Sequence, residues 1–144
     1  MDHKLSRWAL LLGLSGLIPQ ILALALTRHP PHAALAQFAG FLYAALIFSF
    51  IGGLWWGIAA ANRAAPKWLF AVAVVPSLIA FGASLIWVAR TGSAGLSLRI
   101  VGTALVVSPI IDWWLGRAGL VPRGWLVMRV VLSFGLGALT LAIA

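Results

Sequence analysis

An all-α integral membrane bundle of five transmembrane helices is the fold class this sequence predicts, and three observations predict it. Hydrophobic residues make up 63% of the 144 positions and charged residues only 8%, against about 45–50% and 25% in soluble domains. The apolar residues fall into five runs separated by charges, prolines and glycines. One run also carries Gly52, Gly53 and Gly57 in its interior. Such glycines cost a helix in water roughly 1 kcal/mol each relative to Ala, whereas in a bilayer small residues let helix backbones approach closely. The length suits one domain spanning 1–144, with no room for a second.

The first span, about 8–26, follows Lys4 and Arg7 and opens on Trp8. A basic start and an apolar run ending in Ala23-Leu24-Ala25 also have the form of a signal peptide. The run is long for such a signal, so a retained helix is expected. Arg28-His29-Pro30-Pro31 ends it. The second span, 33–61, is the longest and must tilt or protrude, because about 20 residues suffice to cross the hydrocarbon. Asn62-Arg63 and Pro66-Lys67 separate it from the third, 67–89, which Arg90-Thr91-Gly92 closes. The fourth, 97–115, has Arg99 in its first turn, and that side chain must snorkel outward. Gly116-Arg117 through Pro122-Arg123 form the last junction, before 121–143. Pro19, Pro76 and Pro109 lie within spans one, three and four. Membrane helices tolerate them where neighbours satisfy the freed carbonyls.

The net charge of +8 comes from ten Lys/Arg against Asp2 and Asp112. The bases stand singly at the ends of apolar runs rather than in an aromatic-laced patch, which points to anionic lipid headgroups and not to nucleic acid. Lys4, Arg7, Arg63, Lys67, Arg117, Arg123 and Arg129 gather on one side, and Arg28, Arg90 and Arg99 on the other. The positive-inside bias therefore puts the N-terminus in the cytoplasm and the C-terminus across the membrane. Seven of the eight tryptophans, all but Trp87, fall in the same half, as interfacial tryptophans do.

Within span two, Ala45, Ser49, Gly53, Gly57 and Ala61 recur at i+4, and Gly53–Gly57 is a GxxxG. This ladder is expected to be the close-packing seam of the bundle, with a homodimer seam as the alternative. On that register Trp55 points away from the seam while Trp56 flanks it beside Gly52.

Asp112 is the one acid beyond position 2 and stands in an apolar run. An ionisable group there must face the bundle interior or a partner, and a position near the end of its helix disfavours an anion. Both ask for a cation. Measured from the interface marked by Arg117 and Arg123, Asp112 is about 7.5 Å deep and Arg129 about 9 Å, with Trp56 in the same layer. The expected arrangement is an Asp112–Arg129 ion pair beside Trp56, either a structural staple between the last two spans or part of a proton or ion path.

No nucleophile–base–orienter set is present: histidines occur only at 3, 29 and 32, and Tyr43 is the lone tyrosine. Cysteine is absent, which excludes thiol chemistry and disulfides. His29-Pro30-Pro31-His32 reads as loop punctuation rather than a metal site, for the prolines prevent one helical face. No cofactor, metal or catalytic residue is assigned.

Tyr43, then Ser49-Phe50-Ile51-Gly52-Gly53, then Trp56-Gly57 resemble the signature of the domain of unknown function 3429 family, small membrane proteins like transmembrane protein 69. Pro76-Ser77 fit as well, as does the final hairpin of Asp112, Gly119 or Gly124, Pro122, Trp125 and Arg129. A polar or basic residue often precedes the tryptophan of that core; here Trp55 stands there. The resemblance implies about five spans, a bacterial inner membrane or its mitochondrial counterpart, and a joint role for Ser49, Gly52, Gly53, Trp56 and Gly57. It implies no activity. The function expected is a non-enzymatic accessory or assembly factor that packs on a membrane-protein partner or on a second copy. A small transporter or channel using Asp112 and Arg129 is the alternative.

Overall fold

The computed structural model describes residues 7–89, 94–122 and 124–144, and all regular structure among them is helical. The elements are α1 (Arg7–Ser15), α2 (Ile18–Thr27), a 3-10 turn (Pro30–His32), α3 (Ala33–Ala61), α4 (Trp68–Ala89), α5 (Ala94–Val107), α6 (Pro109–Arg117) and α7 (Trp125–Ile143). They make five stretches long and apolar enough to cross a membrane: Leu10–Thr27, Pro30–Ala61, Trp68–Ala89, Ala94–Arg117 and Trp125–Ile143. Lys4, Arg90 and Arg123, which carry part of the orientation argument, lie outside the described residues. Arg63, Lys67 and Arg117 stand at one end of the bundle, and Arg28 and Arg99 at the other.

Two spans are interrupted, and proline chemistry explains where. Span one breaks at Gly16-Leu17, with Pro19 in the first turn of α2. Span four breaks at Ser108, with Pro109 opening α6. Proline suits a first helical turn, where its missing N–H leaves nothing unpaired. The carbonyl that Pro109 cannot serve is that of Leu105, and Ser108 Oγ donates to it at 2.8 Å. Pro76, by contrast, lies inside the unbroken α4.

The 29 residues of α3 extend about 43 Å at 1.5 Å each, longer than the roughly 30 Å of hydrocarbon. This helix lies at the centre and packs on α2, α4, α5 and α7. Its buried face is Ala36, Gly40, Phe41, Ala44, Ala45, Phe48, Ile51, Gly52, Trp55 and Ala59. At Gly52 a Cβ would run into the Ala73 carbonyl and meet the Pro76 ring at 3.2 Å, so α3 and α4 approach to backbone contact there.

That face corrects the expected seam. Ala45 is buried and Ser49 partly so, but Gly53 and Gly57 are exposed, and a Cβ at either would meet nothing within 4 Å. The reason is rotational. Each i+4 step turns about 40° beyond a full circle at 100° per residue, so the ladder swings about 160° from Ala45 to Ala61 and leaves the interior half-way. The GxxxG faces outward, and the close approach belongs to Gly52.

At the far end Trp87 stacks on Phe41 (centroids 4.9 Å apart) and tilts against Phe38. Arg99 is exposed there, its guanidinium folded back toward Gly95 and the start of α5, the direction snorkelling requires.

Candidate functional site: a carboxylate with three N–H donors

The hairpin between α6 and α7 builds the site. Gly119 (φ 69°) and Gly124 (φ 88°) take left-handed conformations, which glycine adopts without the Cβ penalty. They reverse the chain within seven residues, so α6 and α7 lie antiparallel in contact. Trp125 and Arg129, four apart on α7, then share the face turned to Asp112.

Asp112 is fully buried. Its Oδ1 accepts from Trp125 Nε1 at 2.9 Å and from Trp55 Nε1 at 3.2 Å, and its Oδ2 accepts from Arg129 Nε at 3.1 Å. Three N–H donors from two helices thus converge on one carboxylate. Arg129 is itself 5% exposed. The pair is single-point, not the two-pronged fork that Arg and carboxylate can form; Arg129 Nη2 is buried with no hydrogen-bond partner among the described residues. The break at Ser108 also puts Asp112 in the first turn of α6, where the helix dipole favours an anion. The expectation of an unfavourable helix end is corrected by that interruption.

The tryptophan beside the pair is Trp55, not Trp56. Trp56 is 48% exposed and meets Phe70 edge-on at 4.9 Å. Of the expected site residues, Asp112 and Arg129 come together, Gly52 lies on the buried face of α3 against Ala73 and Pro76 of α4, and Ser49, Gly53, Trp56 and Gly57 do not reach the cluster. Trp55 was missed, and Trp125 was named only in the closing hairpin, not as part of the site. The i, i+4 spacing of Trp125 and Arg129 was a usable signal for the second; for Trp55 the i+4 ladder, read as the inward register, selected Trp56 of the doublet instead.

A second polar contact ties α2 to α7: Gln20 Nε2 donates to Thr140 Oγ1 at 3.0 Å, and Thr140 Oγ1 donates to the Leu136 carbonyl at 2.7 Å. Gln20 is fully buried, and its Oε1 has no partner. A lone carboxamide in an apolar run was the sequence signal for it. Ser108 Oγ lies 3.3 Å from Ser133 Oγ, linking α7 to the break in span four. Outside the core, the Arg117 guanidinium sits 5.0 Å above the Trp113 ring, and Trp114 packs edge-on against Trp68. Among the described residues no group of three or more His, Cys, Asp or Glu could hold a metal.

Five apolar spans around a buried ionic cluster define a multi-pass helical membrane protein. The chain belongs to the family described as protein of unknown function (DUF3429), whose model matches residues 5–144. It is also similar to transmembrane protein 69 of Xenopus tropicalis, with 39% identity over 104 residues. That match takes in 67% of this chain and 40% of the relative's length. No solved structure matches.

Proposed function

We propose that this chain is a non-enzymatic accessory or assembly factor of the bacterial inner membrane, with its N-terminus in the cytoplasm, which works by packing against a larger membrane complex. The observation that carries this reading is the closure of the Asp112 cluster. Its carboxylate is fully buried and accepts three N–H donors, so no oxygen is turned toward a passage. The carboxylate ties α3, α6 and α7 together through those bonds. The outward face of α3, with Leu46, Phe50, Gly53, Trp56 and Gly57 exposed, offers both small and aromatic surface for a membrane-embedded partner.

Affinity purification in mild detergent, after photo-crosslinking from a probe at position 57, should yield a stoichiometric membrane protein joined through that face. Repeated recovery of the uncrosslinked chain alone would refute the reading.

A small transporter is the second reading, and the interruptions of spans one and four favour it, since broken helices recur in transporters. Liposome flux that disappears on Asp112→Asn would establish it in place of the first.

A further inference from the structure

The same arginine that serves Asp112 leaves a second set of donors idle beside a cavity. The cavity, of about 200 Å³, opens between the break in span one, α3 and α7; Gly16, Ile47, Ile51, Arg129, Leu132 and Ser133 are among its walls. Among the described residues, Arg129 and Ser133 are the only polar side chains in that lining. Ser133 already lies against Ser108, and Arg129 is the only charged group. Arg129 Nη2 is buried without a partner among the described residues, although buried polar groups are almost always hydrogen-bonded.

We propose that this cavity binds a neutral carbonyl oxygen carried on an apolar chain, which accepts a hydrogen bond from Arg129 Nη2. Three features select that chemistry. The donor needs an acceptor, and Asp112 is already occupied by three N–H groups. The acceptor must be uncharged, because Asp112 and Arg129 cancel each other and an added anion would bury net charge. An ordered water is a poor substitute, since it normally makes about three hydrogen bonds and the lining has two polar side chains.

Size and depth agree. The volume exceeds the roughly 150 Å³ that admits benzene in an apolar cavity and falls below the 300–1,000 Å³ of drug-sized sites. It holds a carbonyl and a few carbons, with the remaining chain passing into the bilayer between Leu12 and Phe50, which are 68% and 61% exposed. Trp125 opens α7, and Arg129 lies one turn, about 6 Å, further into the span at 1.5 Å per residue. A bilayer supplies two such carbonyls: glycerolipid esters and isoprenoid quinones.

The test compares nanodiscs of ester-linked phospholipid with nanodiscs of ether-linked phospholipid, which lack the carbonyl, and adds a short-chain benzoquinone to the ether discs. The wild-type chain should melt about 2–4 °C higher in ester than in ether lipid, identifying a lipid ester, or should melt equally in those two and about 2–4 °C higher only in the discs that carry the quinone, identifying a quinone. Ile47→Trp fills the cavity and Leu12→Trp narrows its exposed mouth, both leaving Asp112 and Arg129 themselves unsubstituted; either should abolish the difference. Equal melting in all three discs would overturn the proposal, as would a difference that survives undiminished in both variants.

Discussion

Replacing Asp112 with Asn tests the cluster most directly, because it changes one atom and no volume. The asparagine keeps its one oxygen for the indoles of Trp55 and Trp125 and so sets an NH₂ donor against Arg129 Nε, which in the native chain donates to Oδ2 at 3.1 Å. Arg129, 5% exposed, is left as a buried cation without its counter-charge. Removing one partner of a buried pair costs about 3–5 kcal/mol. Arg117 provides the control: it sits on the exposed Trp113 ring at 5.0 Å, a contact of about 0.5–1 kcal/mol at such sites. At about 2–4 °C per kcal/mol for a chain of this size, Asp112→Asn should lower Tm in detergent by roughly 6–20 °C and Arg117→Ala by about 1–4 °C. Adding Arg129→Gln to Asp112→Asn should recover part of the loss, since no charge then remains buried. Equal melting losses for the two single variants would refute the reasoning.

The remaining predictions separate neighbours that look alike in sequence. Trp55→Phe removes a donor to a buried carboxylate and should cost about 1.5–3 kcal/mol, whereas Trp56→Phe at the exposed face should cost under about 1 kcal/mol; thermal melts in one detergent compare them. Gly52→Ala forces a methyl into the Ala73 carbonyl and the Pro76 ring and should lower Tm, while Gly53→Ala, with open space around it, should leave the bundle's own melting unchanged or slightly raised. Thr140→Val strands the buried Gln20 amide and should cost about 1–3 kcal/mol. Gln20→Leu, which removes the orphaned Oε1 together with the donor, should cost less, and a reversal of that order in the melts would count against the Gln20–Thr140 bond.

Much of the architecture was legible because a bilayer imposes few choices. The spans had to be apolar and about 20 residues long, and their ends had to carry the charges and breakers. The apolar helical stretches lie over the expected 8–26, 33–61, 67–89, 97–115 and 121–143, the second beginning at Pro30, the fourth running from Ala94 to Arg117 and the fifth beginning only at Trp125. The meeting of Asp112 with Arg129 was legible for the same reason: one acid and one base at equal depth on adjacent helices have few other partners. The interruptions were half legible. Pro19 and Pro109 marked them, but Pro76 looks the same in sequence and stays within a continuous helix.

The inward face of α3 was not legible. This helix is apolar all round, so burial leaves no periodic trace along it, and the small residues that should mark a seam rotate from inside to outside over its length. The choice between Trp55 and Trp56 depended on that rotation, and with it the membership of the site.

By itself, then, the sequence determined that this is a five-span membrane protein with a closing hairpin and one acid in need of an arginine, because the cost of charge in hydrocarbon dictates those features locally. The tertiary structure alone decided which side of the central helix faces the core, that Gly52 rather than the GxxxG makes the close approach, and that two indoles complete the carboxylate's shell. Those outcomes depend on shape complementarity among helices of uniform polarity, for which hydropathy carries no information.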